Sequence, residues 1–219
     1  MTRFLLVFAL FVVATPLSAQ RGQRASSPGD PSIWISGGIA GFAANGVNDG
    51  ASGSSWDFGN STNLAYSASL EKVMSNTISL GVSASYAWMP FAYLGSGVPT
   101  GGGANCTRCD AHLDMTTLVG TLHAGGSVGI YQVIELNAGI VMYQNLTRDS
   151  DHAKLAPLGT NIDPYFSLGY GIGYGLSRTT QIEFVPDAGI SIHERGGSSN
   201  GLSNTTSVRS LRLAVRMGF

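Results

Sequence analysis

The sequence predicts an all-β protein, a closed antiparallel up-and-down transmembrane β-barrel of about eight strands. Most of the chain after residue 32 alternates between apolar and small or polar side chains, which is the spacing of strands and not of helices. The connections between the alternating segments are by turns long and short. Only 11% of the 219 residues are charged and 30 are glycine, whereas about a quarter of an ordinary soluble domain is charged.

The N-terminus has the three parts of a secretory signal peptide. Arg3 is positively charged, residues 4–14 are continuously apolar, and residues 15–19 combine a proline with small side chains before Gln20. The apolar run is shorter than the roughly 20 residues of a transmembrane helix. We therefore predict a signal peptide at 1–19, a flexible lead-in at 20–31 and a β-barrel at 32–219.

Eight segments carry the two-residue alternation. The clearest is 78–88, where Ile78, Leu80 and Val82 alternate with serine and glycine. A tilted strand crosses a bilayer in about 9–11 residues, which these segments approach or exceed. Pro186 has no N–H to donate, so we expect a bulge or bend in the seventh strand. The predicted strands are 33–43, 64–71, 78–88, 113–128, 134–142, 166–176, 182–192 and 210–219.

The connections give a second, independent signal. The turns after the second, fourth and sixth strands are short, and the other connections are long. Barrels of the outer membrane have short periplasmic turns and long external loops. With an even number of strands, both termini are then expected on the periplasmic side. The short turns are predicted at 73–76, 129–132 and 177–180, and the long connections at 44–60, 90–112, 145–162 and 195–206.

The large apolar side chains are predicted to face lipid. The interior of an eight-stranded barrel is only just wide enough for its own side chains, and the opposite positions are mostly glycine, serine, alanine and threonine. A soluble barrel with an apolar ligand cavity is the alternative, but glycine would not line such a cavity. Aromatic residues near strand ends suggest girdles at the membrane interfaces. They are Tyr66, Tyr86, Trp88, Tyr143, Phe166, Phe184 and Phe219.

These features together resemble the small outer-membrane barrel families, which include the barrel of outer-membrane protein A, outer-membrane protein X and the opacity proteins. The last strand matches best, with apolar side chains at every second position and a terminal aromatic: Leu211, Leu213, Val215, Met217 and Phe219. The resemblance covers about residues 32–219. It implies a bacterial outer-membrane location, contact with outer-membrane lipid and lipopolysaccharide, and reading of the last strand by the barrel-assembly machinery.

Six charged residues are predicted to point into the barrel: Glu71, Glu135, Glu183, Asp187, Arg212 and Arg216. An unpaired charge in a narrow interior costs several kcal/mol, so we expect these residues to pair and to plug the lumen. A gate or narrow ion path is the alternative. The formal net charge of −1 shows no basic excess, so no nucleic-acid partner is expected. We also expect no cofactor and no metal.

Ser191 and His193 share a face of the seventh strand with Glu183 and Asp187, and a serine, a histidine and a carboxylate can form an activated nucleophile. Lipid A deacylases of the outer membrane use such groups, but in the order His-x-Ser. Here the order is reversed and the predicted face is the lumen. A polar histidine near the barrel mouth is the favoured interpretation, and His123 is interpreted in the same way.

Cys106 and Cys109 lie in the longest connection without a second cysteine pair, so zinc is weakly supported. In an oxidising compartment a local disulfide is expected. Loops on a rigid scaffold are where recognition resides. Trp56, Phe91 and Tyr93 are expected to be exposed or half-exposed there and available to an extracellular ligand.

Three functions remain open on the sequence alone. The leading hypothesis is a non-enzymatic barrel that stabilises the envelope or presents its loops in an adhesion-like role. The second is a narrow porin-like channel for ions or small solutes. The third is a lipid A-modifying enzyme. A plugged lumen favours the first, conductance the second and altered lipid A the third.

Overall fold

A computed structural model of the chain describes residues 30–59, 61–95, 103–104, 106–193 and 205–219. The predicted signal peptide and most of the predicted lead-in lie outside these ranges, as does most of the predicted connection 195–206. The described part of the chain contains no helix of the length and apolarity needed to cross a membrane.

Eight of the described strands close into an antiparallel barrel, because the first barrel strand pairs with both the second and the last, while the strands between them pair with their neighbours along the chain. The prediction of an all-β, closed antiparallel barrel is confirmed. The strands are β1 Ile33–Ala44, β2 Gly46–Asp49, β3 Ser54–Asp57, β4 Asn63–Ser75, β5 Ile78–Gly95, β6 Cys109–Ala124, β7 Gly129–Arg148, β8 Asn161–Gly175, β9 Thr180–Ile192 and β10 Thr205–Gly218.

The two strands outside the barrel form a hairpin in the connection between β1 and β4. β2 pairs with β3, and β3 pairs with the last residues of β5, from Ser54↔Gly95 to Asp57↔Ala92. The hairpin therefore prolongs the barrel wall at the end that carries the long connections, here called the long-loop end. The opposite end, with three tight turns and both ends of the described chain, is the short-turn end.

Some predicted boundaries are wrong. The fourth barrel strand, β6, ends at Ala124, so its prediction at 113–128 lies about four residues too late. The turn occupies 125–128 and not 129–132, because Gly125, Gly126 and Gly129 adopt positive φ, a conformation that glycine adopts without strain.

The predicted connections 90–112 and 145–162 are also partly wrong, because both contain strand. β5 continues to Gly95, and β7 continues to Arg148. These strands lengthen the wall beyond its apolar part. The wall also includes the start of β6, where the alternation continues with polar outward side chains, Asp110 and His112, which hid the strand in the sequence.

The bulge expected at Pro186 is not found. β9 and β10 stay in register through Pro186↔Leu211. On the other side the described pairing with β8 stops at Gly169↔Asp187 and resumes at Ile172↔Phe184 without a shift. The missing N–H is thus accommodated by a gap in the ladder.

The alternation points the large apolar side chains outward, as predicted. Ile35, Leu80 and Leu213 are each about half exposed, and the alternate positions face inward. The alternative of a soluble barrel, in which the apolar side chains would face the interior along the full length of each strand, is therefore wrong. Of the seven aromatic residues expected in the girdles, six lie outward, but Tyr143 is fully buried because it is out of phase with its outward neighbour Met142.

Candidate functional site

The interior at the short-turn end is filled by a charged network centred on Arg216, which is 2% exposed. Its Nη2 donates to Glu71 Oε2 at 2.6 Å, and its Nη1 donates to Glu183 Oε1 at 3.0 Å. The ring of Trp34 covers the guanidinium, with 4.9 Å between Cζ and the ring centroid. One arginine of β10 thereby holds carboxylates from β4 and β9 on either side of the lumen.

Two further side chains complete this network. His123 Nε2 lies 3.1 Å from Glu183 Oε1, and the Tyr131 hydroxyl donates to the same oxygen at 2.9 Å. Tyr131 fits across the interior because β8 carries Gly173 beside it. A Cβ at that position would lie 2.2 Å from the Tyr131 ring. The sequence alone does not identify Tyr131 as a lumen residue, because Tyr131 falls within the predicted turn 129–132.

A second charged layer lies further along the barrel. Arg212 Nη2 donates to Glu135, and both residues line a cavity of about 60 Å³ together with Asp187 and several serine and threonine side chains. A polar cavity of this size has room for a few water molecules. All six charged residues predicted to face the lumen are therefore placed inside the barrel, in two adjoining layers.

Within the described part of the chain, the same interior contains a triad with metal-ligand chemistry. Ligand atoms of His123, Glu135 and Glu183 lie within 4.8 Å of one another, and all three residues are buried. Arg216 Nη1 lies 3.1 Å from His123 Nε2 and 3.0 Å from Glu183 Oε1. The guanidinium therefore already occupies the space that a cation would take, and the geometry does not favour a metal.

The long-loop end is closed by an apolar plug. Trp56, Tyr93 and Tyr143 are 0% exposed, and the Trp56 ring packs edge-on against Tyr143 with centroids 5.6 Å apart. The expectation that Trp56, Phe91 and Tyr93 are available on loops is wrong. They lie inside because β3 and the end of β5 keep the strand alternation, which the pairs Trp56–Phe58 and Phe91–Tyr93 show at a spacing of two.

A buried histidine joins this plug to the barrel wall. His193 follows the last residue of β9 and is 0% exposed. Its Nδ1 lies 2.9 Å from both carboxylate oxygens of Asp163 on β8, and its Nε2 lies 3.6 Å from Asp49 Oδ1 on the hairpin. Ser52 Oγ donates to Asp49 Oδ2 at 2.6 Å and fixes that carboxylate. His193 thus clamps the β2–β3 hairpin to the wall.

The two carboxylates also set the charge of the clamp. Burial by itself lowers the pKa of His193, but the hydrogen bond that its Nδ1 donates to Asp163 and the charge attraction of Asp163 and Asp49 outweigh burial and raise that pKa to about 9. Burial by itself would raise the pKa of Asp49, yet the positive charge of His193 and the hydrogen bond from Ser52 leave that pKa lowered. The clamp is therefore an imidazolium between carboxylates at neutral pH.

Comparison with known proteins identifies the fold. No protein-family model and no curated protein matches the chain, but solved structures do. Neisserial surface protein A matches with a TM-score of 0.54 and 9% identity over 87% of this chain and 99% of that chain. This chain has the fold of the small outer-membrane barrels. Two further matches have lower TM-scores. Ail of Yersinia pestis scores 0.47 at 12% identity over 87% and 99% of the two chains. OprG of Pseudomonas aeruginosa scores 0.43 at 13% identity over 87% and 97%.

The small-barrel fold puts Ser191, on β9, and His193, directly after β9, inside the wall, as expected from their alternation. Ser191 Oγ lies 3.0 Å from the Tyr143 hydroxyl, and both Ser191 and His193 are fully buried. The carboxylates expected beside them, Glu183 and Asp187, are not the partners of His193. Its partners, Asp163 and Asp49, come from segments that lie outside the predicted strands.

Cys106 and Cys109 are joined by a disulfide just before and at the start of β6. Gly95 N donates to Cys106 O at 3.0 Å, which ties this ring to the end of β5. We expect the folded barrel to give no reaction with a thiol reagent until it has been unfolded and reduced. Mass spectrometry after alkylation without reductant measures this, and a labelled cysteine would contradict the prediction.

Proposed function

We propose that the chain is an integral outer-membrane protein whose barrel is a sealed scaffold that presents its long connections outside the cell, in a structural or surface-interaction role. The observation that carries the proposal is that the barrel interior is filled at both of its ends. The Arg216 network fills the short-turn end, and the Trp56 plug with the His193 clamp fills the long-loop end. A barrel closed in this way serves its partners through its surface.

The outward face supports the membrane location. Apolar side chains that are about half exposed surround the barrel, and soluble monomers rarely expose so large a continuous apolar patch. A closed barrel also leaves no unpaired strand edge in hydrocarbon. By the usual loop asymmetry of such barrels, the short-turn end and both termini face the periplasm.

The last strand supports insertion by the barrel-assembly machinery. Leu211, Leu213, Val215, Met217 and Phe219 all point outward and are exposed. Phe219 N donates to Ile33 O at 2.9 Å, which closes the barrel at its seam. The strand that would be recognised during assembly is therefore the one that completes the barrel.

The surface-interaction role is supported by contacts between the long connections. Ala104 N donates to Lys154 O at 2.7 Å, and Ala156 N donates to Ala104 O at 3.3 Å. Leu155 is fully buried beneath this contact. The described segments of these two connections are held together before any partner binds, and preorganised segments lose less conformational entropy on binding, so they are suited to recognition.

The buried position of Ser191 and His193 supports a non-enzymatic protein. Both side chains lie under the hairpin, and Ser191 Oγ is hydrogen-bonded to Tyr143 and not to a base that could activate it. A substrate would reach them only after the hairpin had moved away.

Single-channel recording of the refolded protein in a planar bilayer tests the sealed lumen. We expect no discrete conductance steps, because an ion would have to displace both the Arg216 network and the Trp56 plug. Heat-dependent migration on a gel shows that the inserted protein is folded. Reproducible steps whose size changes in an Arg212→Gln variant would replace the scaffold by the porin-like channel.

A further inference from the structure

We propose that the outward wall carries a binding site for a phosphorylated glycolipid of the external leaflet, the lipid A portion of lipopolysaccharide. Its phosphate would meet the guanidinium of Arg209, and its acyl chains would lie in the groove between β8 and β10. The inference rests on the proposed outer-membrane location and adds to it a specific lipid contact.

The position of Arg209 on the wall supports this site. Arg209 is exposed and outward-facing on β10, ten residues before Phe219. At about 3.4 Å per residue and a tilt of about 40°, that separation is roughly 25 Å along the barrel axis, the height of the apolar band of such barrels. With Phe219 at the periplasmic boundary, Arg209 stands at the external boundary, where lipid phosphates lie.

Arg209 also has no ion partner among the described residues. It is paired across the sheet with Ala43 and Ala188, neither of which can accept a hydrogen bond from it through its side chain. By contrast Asp114, another outward-facing charge, accepts hydrogen bonds from Tyr86 at 2.7 Å and Asn145 at 2.6 Å. A basic side chain at the edge of hydrocarbon is stabilised by an anionic partner, and guanidinium matches phosphate in a bidentate manner.

A groove leads from Arg209 toward β8. The small side chain of Ala188 forms its floor, because Ala188 is paired with Leu168 on one side and Arg209 on the other. Phe166 and Ile190 rise beside it and are 49% and 43% exposed. The open groove measures about 510 Å³, a size that accommodates acyl chains. Its outward lining side chains are Phe166, Leu168, Ala188, Ile190, Ser207 and Arg209.

The test is a titration of the folded full-length mature protein in detergent with diphosphoryl lipid A, followed by native mass spectrometry. Arg209→Gln is expected to weaken binding about five-fold, which is the typical effect of removing one cation near an anionic membrane surface. Arg209→Lys is expected to keep most of the binding affinity. Arg178→Gln is the matched control, because Arg178 is exposed at the opposite end. Ala188→Leu fills the groove and is expected to weaken binding with Arg209 intact.

Three results would overturn the site. The first is that Arg209→Gln binds lipid A as tightly as the unmodified protein does. The second is that lipid A without phosphates binds as well as the diphosphoryl form. The third is that phosphatidylglycerol competes with lipid A on equal terms. Membrane fractionation and heat-dependent gel migration of each variant are measured separately. A failed lipid site with normal fractionation leaves the proposed scaffold intact, whereas loss of the protein from the outer membrane would refute that scaffold.

Discussion

Replacing Arg216 by alanine is expected to destabilise the barrel by about 3–5 kcal/mol, the usual cost of breaking a buried ion pair. The arginine is 2% exposed and serves Glu71 and Glu183 at once. Its removal leaves two buried carboxylates without their guanidinium partner, and the face of Trp34 loses its cation. Denaturant unfolding in detergent, followed by heat-dependent gel migration, measures the loss.

Three further variants provide a scale for this loss of stability. Arg212→Ala should cost less, because Arg212 is 17% exposed and pairs with Glu135 alone. Arg178→Ala should change stability by less than about 0.5 kcal/mol, as is usual for exposed pairs. The triple variant Arg216→Met, Glu71→Gln, Glu183→Gln should recover much of the loss, since no buried charge remains unpaired. If Arg216→Ala were no less stable than Arg178→Ala, the network would contribute nothing to folding.

The inward direction of these charges could be predicted, but their pairing could not. Alternation alone places Glu71 and Arg216 on the inner face. It does not show that they meet, because they are 145 residues apart and their contact depends on how far each strand is shifted along its neighbours. Barrel closure sets that shift through strand number and tilt. The sequence therefore predicted the charged lining and left its two layers unresolved.

The plug at the long-loop end was missed for a different reason. Trp56 and Tyr93 were assigned to connections, where aromatic side chains suggest recognition. Their spacing of two from Phe58 and Phe91 is the same signal that located the barrel strands. This signal is weak in the sequence because β3 has only four residues and the surrounding segment is rich in glycine and serine. Short strands that prolong a wall carry too few alternations to stand out.

Raising the pH through about 9 is expected to loosen the β2–β3 hairpin, because His193 then loses the proton that its carboxylate partners hold. Its ordinary pKa is about 6.5, so the stabilisation is fully present below that pH and is lost as the pH rises through 9. The linked free energy is on the order of 3 kcal/mol. Asp49, whose pKa is lowered, adds a contribution that is lost at acidic pH.

Trp56 reports the hairpin directly, because its ring lies 5.6 Å from the His193 ring. In a variant with Trp34→Phe and Trp88→Phe, the fluorescence of Trp56 should shift toward that of a solvated indole as the pH rises through 9. Adding His193→Gln should give a hairpin that is already loose at neutral pH and insensitive to pH between 6.5 and 9. His152→Gln is the matched control, since His152 is exposed on a connection. A transition that persists in the His193→Gln protein would assign the pH dependence of the hairpin to another group.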